Sequence, residues 1–438
     1  MKPLNKSWND RISKALDLGC FISWNEGSEF IGELEEVHRG LVTLAKSRPR
    51  EALGCFEIFL AGCLVKGNEV DDSSGGLGMF LEEIFQSWAR CCSSAGMKPA
   101  DFLRKIAHWM QVDDIGFCCD LERTIIPALS SEYRSALRHS LEQRLLEKPS
   151  NGMPEPERSR LLSQYRYDLS TLKKLLISTN NTTAIIEAGD RYGFTLEDCL
   201  ALATAFSSRG QPKRALEWAE RGLKCNDDRS GQEYKLEQLR RQLMIKTGRR
   251  SDAIQEAWKK FEQFPAIHSF KDVLACASRS DKSELTNKAL ILFEKADLQH
   301  AIEAFHELKQ TDCLVRRIER AKNADLKQLF YSTAITTAKS IAKKFPSQTA
   351  RLYVTQALAI LDARKAKAYH HAHDYLYEAK TLMERAGEKE LWDKLVKDIR
   401  HEHRLKSSFI PGFEEIAADR GPIRPPSFME RISSKLDR

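Results

Sequence analysis

The sequence predicts an all-α protein, an irregular α-solenoid of stacked antiparallel helix pairs built in two parts. One helical pattern is written twice within residues 196–265, ending first GQPKRALEWAERGLK and then GRRSDAIQEAWKKFE. Apolar residues recur at steps of three and four along most of the chain, as one buried face of a helix requires. No alternating run of β-branched residues flanked by turns appears, so no sheet is expected.

The chain has 438 residues, 42% apolar and 30% charged, which suits a globular protein with core enough for two or three domains. Lys2, Lys6, Asp10 and Arg11 interrupt any apolar stretch at the N-terminus, so no signal peptide is read and a cytoplasmic location is expected. The 11 cysteines are then expected as reduced thiols. Cys91-Cys92 and Cys118-Cys119 are helix neighbours that point apart, and no C-x-x-C spacing occurs. The longest apolar run, Phe56 to Val65, is too short to span a bilayer, so no membrane association is expected.

Taken in order, helices are expected over 7–19 and 28–47, the second carrying Phe30, Leu34, Val37 and Leu41 along one face. Residues 50–66, with Leu53, Phe56 and Leu60, are apolar on most sides and read as the central helix of the N-terminal half. After the loop GNEVDDSSGGLG, Met79, Phe80, Ile84, Phe85 and Trp88 begin another helix. Helices over 98–110 and 131–146 follow, with Pro99 in the first turn, where its missing amide costs nothing. Residues 148–158, KPSNGMPEPER, hold three prolines and read as the main linker. Helices resume at 161–176. A long helix is expected from Asp325 to Lys344, stopped by Phe345-Pro346, with two more after it, the second bearing Tyr369, Ala372, Tyr375, Leu376, Ala379 and Leu382.

This gives a domain plan of an N-terminal helical domain (1–150), helical repeats (151–322), C-terminal helical repeats (323–406) and a tail (407–438). The tail holds Pro411, Gly421, Pro422, Pro425 and Pro426 and is expected to be a loose strap with one short closing helix.

The duplicated pattern reads as two αα-hairpins. Leu196, Leu200, Ala203 and Phe206 share a face, and Gly210 then ends the helix by taking left-handed geometry. Ala215 and Ala219 on the next helix let its partner approach closely. Leu236, Leu239, Leu243 and Gly248 repeat the first helix and its stop, Ala253 and Ala257 repeat the second, and Pro265 closes the copy. A lone hairpin cannot bury its apolar face, so such units stack. On these residues the chain resembles the tetratricopeptide-like superfamily, although its spacing of 38 (253 minus 215) differs from the usual repeat of about 34. Ala301, Ile302, Phe305 and Leu308 read as a third, degraded copy without the glycine.

Charge is unevenly placed. Residues 1–200 hold 24 basic and 29 acidic side chains, and residues 201–438 hold 45 and 33, net −5 and +12, which sum to the overall +7. Arg214, Arg221, Lys224, Arg240, Arg241, Arg249 and Arg250 are read as a basic patch that selects an acidic partner. The competing reading is a solvated helix face with interspersed acids, as in KKFEQF. A nucleic-acid ligand is the second functional class, although no aromatic-basic cluster marks a stacking platform.

Two acidic loops stand out, Asp71-Asp72-Ser73-Ser74-Gly75 and Asp113-Asp114-Ile115-Gly116. They lack the alternating oxygen ligands of a calcium loop, and capping and turn formation is the weightier reading. With an all-helical N-terminal half around them, they resemble an uncharacterised bacterial domain-of-unknown-function family of helical proteins. The segment from Arg351 to Phe413 is similar to helical repeats of that family and to those downstream of SWIM-type zinc fingers. The C-x-C and C-x-H ligands of such a finger are absent, and the family brings no assigned activity.

His370, His371 and His373, with His401 and His403, are weighed as a metal site against a surface or partly buried group, and the second reading is preferred because no cysteine or carboxylate completes a ligand set. No metal and no cofactor is assigned. The enzymatic alternative is a HEPN-like ribonuclease, whose arginine-then-histidine motif fits Arg134 with His139 and Arg364 with His370. That motif is short enough to arise by chance. No Walker loop, G-x-S-x-G elbow, H-E-x-x-H or dinucleotide fingerprint is present. The expectation is therefore a non-catalytic scaffold or adaptor engaging a protein or peptide through a helical-repeat surface.

Overall fold

The computed structural model describes residues 4–420 apart from 18, 20, 25, 147, 150–152, 226–230 and 365. The fold is all-α, with twenty-three α-helices among the described residues. The one extended pairing there is an isolated bridge between Ile22 and Val70. No helix among the described residues is long and apolar enough to cross a membrane. The chain divides into two units, Met1–Arg240 and Arg241–Arg438.

The first unit opens with α1 (Leu4–Ala15), α2 (Gly27–Ser47), α3 (Pro49–Lys66) and α4 (Gly76–Ser94). Helix α3 packs against α1, α2 and α4. Its Ala52, Cys55, Phe56, Phe59, Leu60 and Cys63 are all buried, which is why its sequence is apolar on most sides. Next come α5 (Pro99–Val112), the single turn α6 (Leu121–Thr124) and α7 (Ser131–Arg144). An aromatic stack ties them to α4: Trp88 lies 5.3 Å from Phe102, and Phe102 lies 4.2 Å from Tyr133. The Tyr133 hydroxyl donates to the Met97 carbonyl at 2.9 Å, so this buried phenol is satisfied.

Helix α8 (Glu157–Ser178) follows the proline-rich stretch 148–158 and packs on α7, so that stretch lies inside the first unit. Arg144 of α7 bonds Glu122 at 2.8 Å and reaches Asp168 of α8 at 3.5 Å. Burial pushes both carboxyls above their usual range, and the guanidinium opposes that push. The unit continues with α9 (Thr182–Tyr192), α10 (Leu196–Ser208), α11 (Pro212–Gly222) and α12 (Gln232–Lys246), which runs across the division. Thr195 and Asp198 form a reciprocal capping box at the start of α10. The same Asp198 is buried against Lys173, whose ammonium also donates to the Gly193 carbonyl at 2.7 Å.

The second unit holds α13 (Arg250–Gln263), α14 (Ile267–Cys276), α15 (Asp281–Lys295), α16 (Leu298–Glu307), α17 (Thr311–Arg320), α18 (Asn323–Lys327), α19 (Tyr331–Ile341), α20 (Pro346–Asp362), α21 (Tyr369–Arg385), α22 (Lys389–Glu402) and α23 (Ile410–Ala417). Two rows emerge from the packing. Helices α14, α16 and α19 neighbour one another along one row, and α17 and α20 along the other. That is the repeat-like layering in which each unit covers the apolar face of the next. The helix α23 falls in the tail expected to carry a short closing helix, while Gly421, Pro422, Pro425 and Pro426 lie outside the described residues.

The hairpin turns share one geometry. At Gly210, φ is +71°, and Gln211 N–H returns 3.0 Å to the Phe206 carbonyl. At Gly248, φ is +85°, and Arg249 N–H reaches the Met244 carbonyl at 2.7 Å. These are the left-handed helix ends the glycines imply. Lys309 makes the same turn at φ +56°, with Gln310 N–H 2.8 Å from the Phe305 carbonyl.

Lys309 corrects the alignment of the third copy. Ala301, Ile302 and Phe305 are buried on α16, the helix before the left-handed turn, so they occupy the place of α10 and α12 rather than of α11 and α13. The expected long helix from Asp325 to Lys344 is also corrected. It is two helices, α18 and α19, broken at Gln328 to Phe330, where the Phe330 N–H donates to the side-chain oxygen of Gln299 at 2.9 Å. A side-chain acceptor from a neighbouring helix thus replaces the intrahelical carbonyl. Pro346 is the first residue of α20, where a missing amide is harmless.

Candidate functional site

The residues read as a basic patch are mostly engaged by the fold. Arg214 and Arg221 are exposed on one face of α11, but their guanidinium groups lie over aromatic rings. Arg214 sits 4.2 Å from the Phe206 centroid, and Arg221 sits 3.8 Å from that of Phe194 and 5.1 Å from that of Trp218. Lys224 is exposed just past α11, and Arg240 is half-buried on α12. Arg249 pairs with Asp252 at 3.0 Å, and Arg250 donates to the Cys276 carbonyl at 2.7 Å, satisfying the end of α14. Arg241 is the correction: it is only 3% exposed and pairs with Asp272 at 2.7 Å. It therefore presents no charge to a partner.

The two acidic loops cap and turn. Asp71 accepts the Ser73 N–H at 3.1 Å and the Ser73 hydroxyl, which hold its carboxyl below the usual range. Asp72 accepts the N–H groups of Leu77 and Gly78 at 2.8 and 3.0 Å, covering the start of α4, while Gly75 takes φ +72°. Asp113 accepts from Ile115, Gly116 and Cys118, and Gly116 takes φ +98°. Asp114 is exposed. The loops also meet: a Cβ at Gly67 would stand 2.7 Å from the Phe117 ring, and one at Gly78 would be in ordinary contact with it at 3.8 Å.

The histidines separate. His373 is buried, with Nε2 2.9 Å from the Phe409 carbonyl and its ring stacked on Phe409 at 4.8 Å, and burial pulls it below the ordinary imidazole range. His403 is buried beside Lys406, while His370, His371 and His401 are exposed. Among the described residues no group of three or more histidine, cysteine or acidic side chains is placed to hold a metal ion. Arg134 and His139 are both on α7, five positions and so about 140° apart around its axis. Arg364 lies in the turn before α21, at φ +53°, and His370 in its first turn.

Two grooves open on the α14–α16–α19 row of the second unit. One, of about 310 Å³, lies between α16 and α19 and is lined by Glu303, His306, Glu307, Ser332, Thr333 and Thr336 among others. The other, of about 470 Å³, lies between α19 and α21. Its floor is Tyr353 of α20 and Tyr375 of α21, with centroids 5.7 Å apart and planes at 24°. Tyr331 forms a wall, joined hydroxyl to hydroxyl with Tyr375, and His371 lies nearly parallel to Tyr375 at 6.4 Å. Asp374, Glu378 and Lys339 stand around the opening. Phe330, 68% exposed, flanks Tyr331, itself 50% exposed.

Sequence reasoning missed this second groove. Tyr375 is legible only as part of an apolar stripe on α21. Asp374 and Glu378 are visible as an i, i+4 pair beside it, but Tyr331 and Tyr353 come from two other helices, and no spacing joins them.

With its hairpins, two rows and grooves, the chain falls in the class of all-helical proteins with repeat-like packing. Within that class it belongs to the family of unknown function DUF6880, whose model matches residues 10–411, a span that includes both acidic loops and nearly all the helices. A search of curated proteins found no match to the chain.

Proposed function

We propose that the protein is a non-catalytic binding scaffold that engages a protein or peptide partner through the α14–α16–α19 row of its second unit. The observation that carries this is the pair of adjoining grooves on the two sides of α19, one lined by hydroxyls and carboxylates and the other floored by tyrosines. Extended peptides bind where a rigid surface offers successive pockets at roughly the spacing of their side chains. Helices packed in a row supply such pockets without moving. Exposed Phe330 and Tyr331 add the rigid aromatic area typical of binding hot spots.

Panning a random twelve-residue peptide library against the full chain tests the reading. Selected peptides should bind the wild type and lose about tenfold or more in affinity to Thr336→Trp, which fills the smaller groove while the exposed position tolerates the change. A library that yields no binder, together with salt-sensitive binding of random RNA or DNA, would replace this reading with a nucleic-acid one.

A further inference from the structure

We propose that the groove between α19 and α21 receives the cationic side chain of a lysine or arginine carried by an extended basic peptide. The inference rests on the scaffold reading and gives it a chemistry.

Asp374 and Glu378 stand one turn apart on α21, both exposed, and among the described residues neither has a hydrogen bond or an ion pair. Like charges at i, i+4 destabilise a helix, so this pair is a local cost that a bound cation would remove. A second, independent feature lies beneath them. Tyr353 is only 6% exposed, yet its hydroxyl has no hydrogen-bond partner among the described residues, whereas the neighbouring Tyr375 and Tyr331 hydroxyls bond each other. The Tyr353 oxygen is not fully enclosed, so it stays open to a donor in the groove. Glu378 is close enough for its charge to add to the effect of burial in raising the Tyr353 phenol.

The shape selects the class of occupant. An anion would meet two carboxylates against the single ammonium of Lys339. An apolar group would strip water from Asp374, Glu378 and the Tyr353 hydroxyl without replacing its bonds. An ammonium or guanidinium brings donors for both carboxylates and for the Tyr353 oxygen, and its stem and charge suit aromatic faces. Continuity argues for a peptide over a free amine. Helix α19 lines both grooves, and the smaller one also holds carboxylates, Glu303, which accepts from Thr333 at 3.1 Å, and Glu307, paired with Lys271 at 2.9 Å across an exposed bridge, so a basic chain crossing α19 finds acidic side chains on each side.

The peptides selected above provide the test. Lysine and arginine should be enriched among them. Asp374→Asn combined with Glu378→Gln should weaken their binding by about tenfold or more, whereas Asp190→Asn combined with Glu217→Gln, an equal charge change in the first unit, should not. Tyr353→Phe, which keeps the ring and removes the oxygen, should weaken binding by about threefold. Butylammonium should compete only at concentrations far above those of the peptides; competition at equal concentration would overturn the peptide as occupant. Selected peptides without basic enrichment, or unaltered by the Asp374 and Glu378 changes, would overturn this inference while leaving the scaffold reading standing. A library that selects nothing would remove the scaffold reading itself.

Discussion

At the scale of single residues, the arginines decide between surface and core. Charge alone groups Arg240, Arg241, Arg249 and Arg250, but burial separates them. Arg241 sits inside against Asp272, while the Arg249–Asp252 pair is about half exposed, at 48% and 54%. Breaking a buried pair leaves an uncompensated charge and costs about 3–5 kcal/mol, whereas an exposed pair contributes about 1 kcal/mol at most. Urea unfolding should therefore show Arg241→Ala strongly destabilised and Arg249→Ala nearly unchanged. Similar losses in the two would mean that the Arg241 pair is not enclosed. Arg351 shows the same use of cationic side chains, donating to the carbonyls of Ile318, Glu319 and Ala321 at the end of α17. Part of the positive excess of residues 201–438 is thus engaged with helix ends, where it complements the dipole.

At the scale of elements, the left-handed turns are the units of construction. Gly210 and Gly248 have open space where a Cβ would go, so replacing either with alanine tests backbone conformation alone. Each should cost about 1 kcal/mol, and Lys309→Gly should instead raise stability by up to about 1 kcal/mol, as read by the denaturation midpoint. A destabilised Lys309→Gly would show that the lysine side chain supports its turn. The helices were legible because Leu196, Ala203 and Phe206, or Phe30, Leu34 and Leu41, keep a strict helical step. The third hairpin was legible only in part, since a lysine stands where glycine marks the other turns. The break at Phe330 was hidden because Gln299, far away in sequence, provides the acceptor that ends the helical run. The tyrosine groove was hidden for the same reason: three helices each contribute one ring.

At the scale of the whole molecule, stability should depend on pH through its buried imidazoles. Burial lowers half-buried His38 and buried His373 and His403 below the ordinary imidazole value of 6.5. The unfolded chain then takes up protons that the folded chain refuses, so this contribution is present above about pH 6.5 and is lost as pH falls through the lower folded values. Thermal unfolding between about pH 7 and pH 5 should show a falling midpoint, and His373→Gln, which can still bond the Phe409 carbonyl but takes no proton, should fall less steeply. Equal slopes would mean that His373 titrates alike in both states. Buried Glu122 and Asp168 act in the opposite sense, since their raised values favour the protonated form in the folded chain, and their effect belongs to more acidic conditions.

The contact of Phe117 with the glycines beside the other acidic loop has its own consequence. Asp72 anchors the beginning of one helix and Asp113 fastens a bend some forty residues later, yet a single ring seated tightly on Gly67 and touching the space beside Gly78 brings the two bends together. A change in the shape of either segment therefore reaches the other through that ring, so in this chain they act as one clasp.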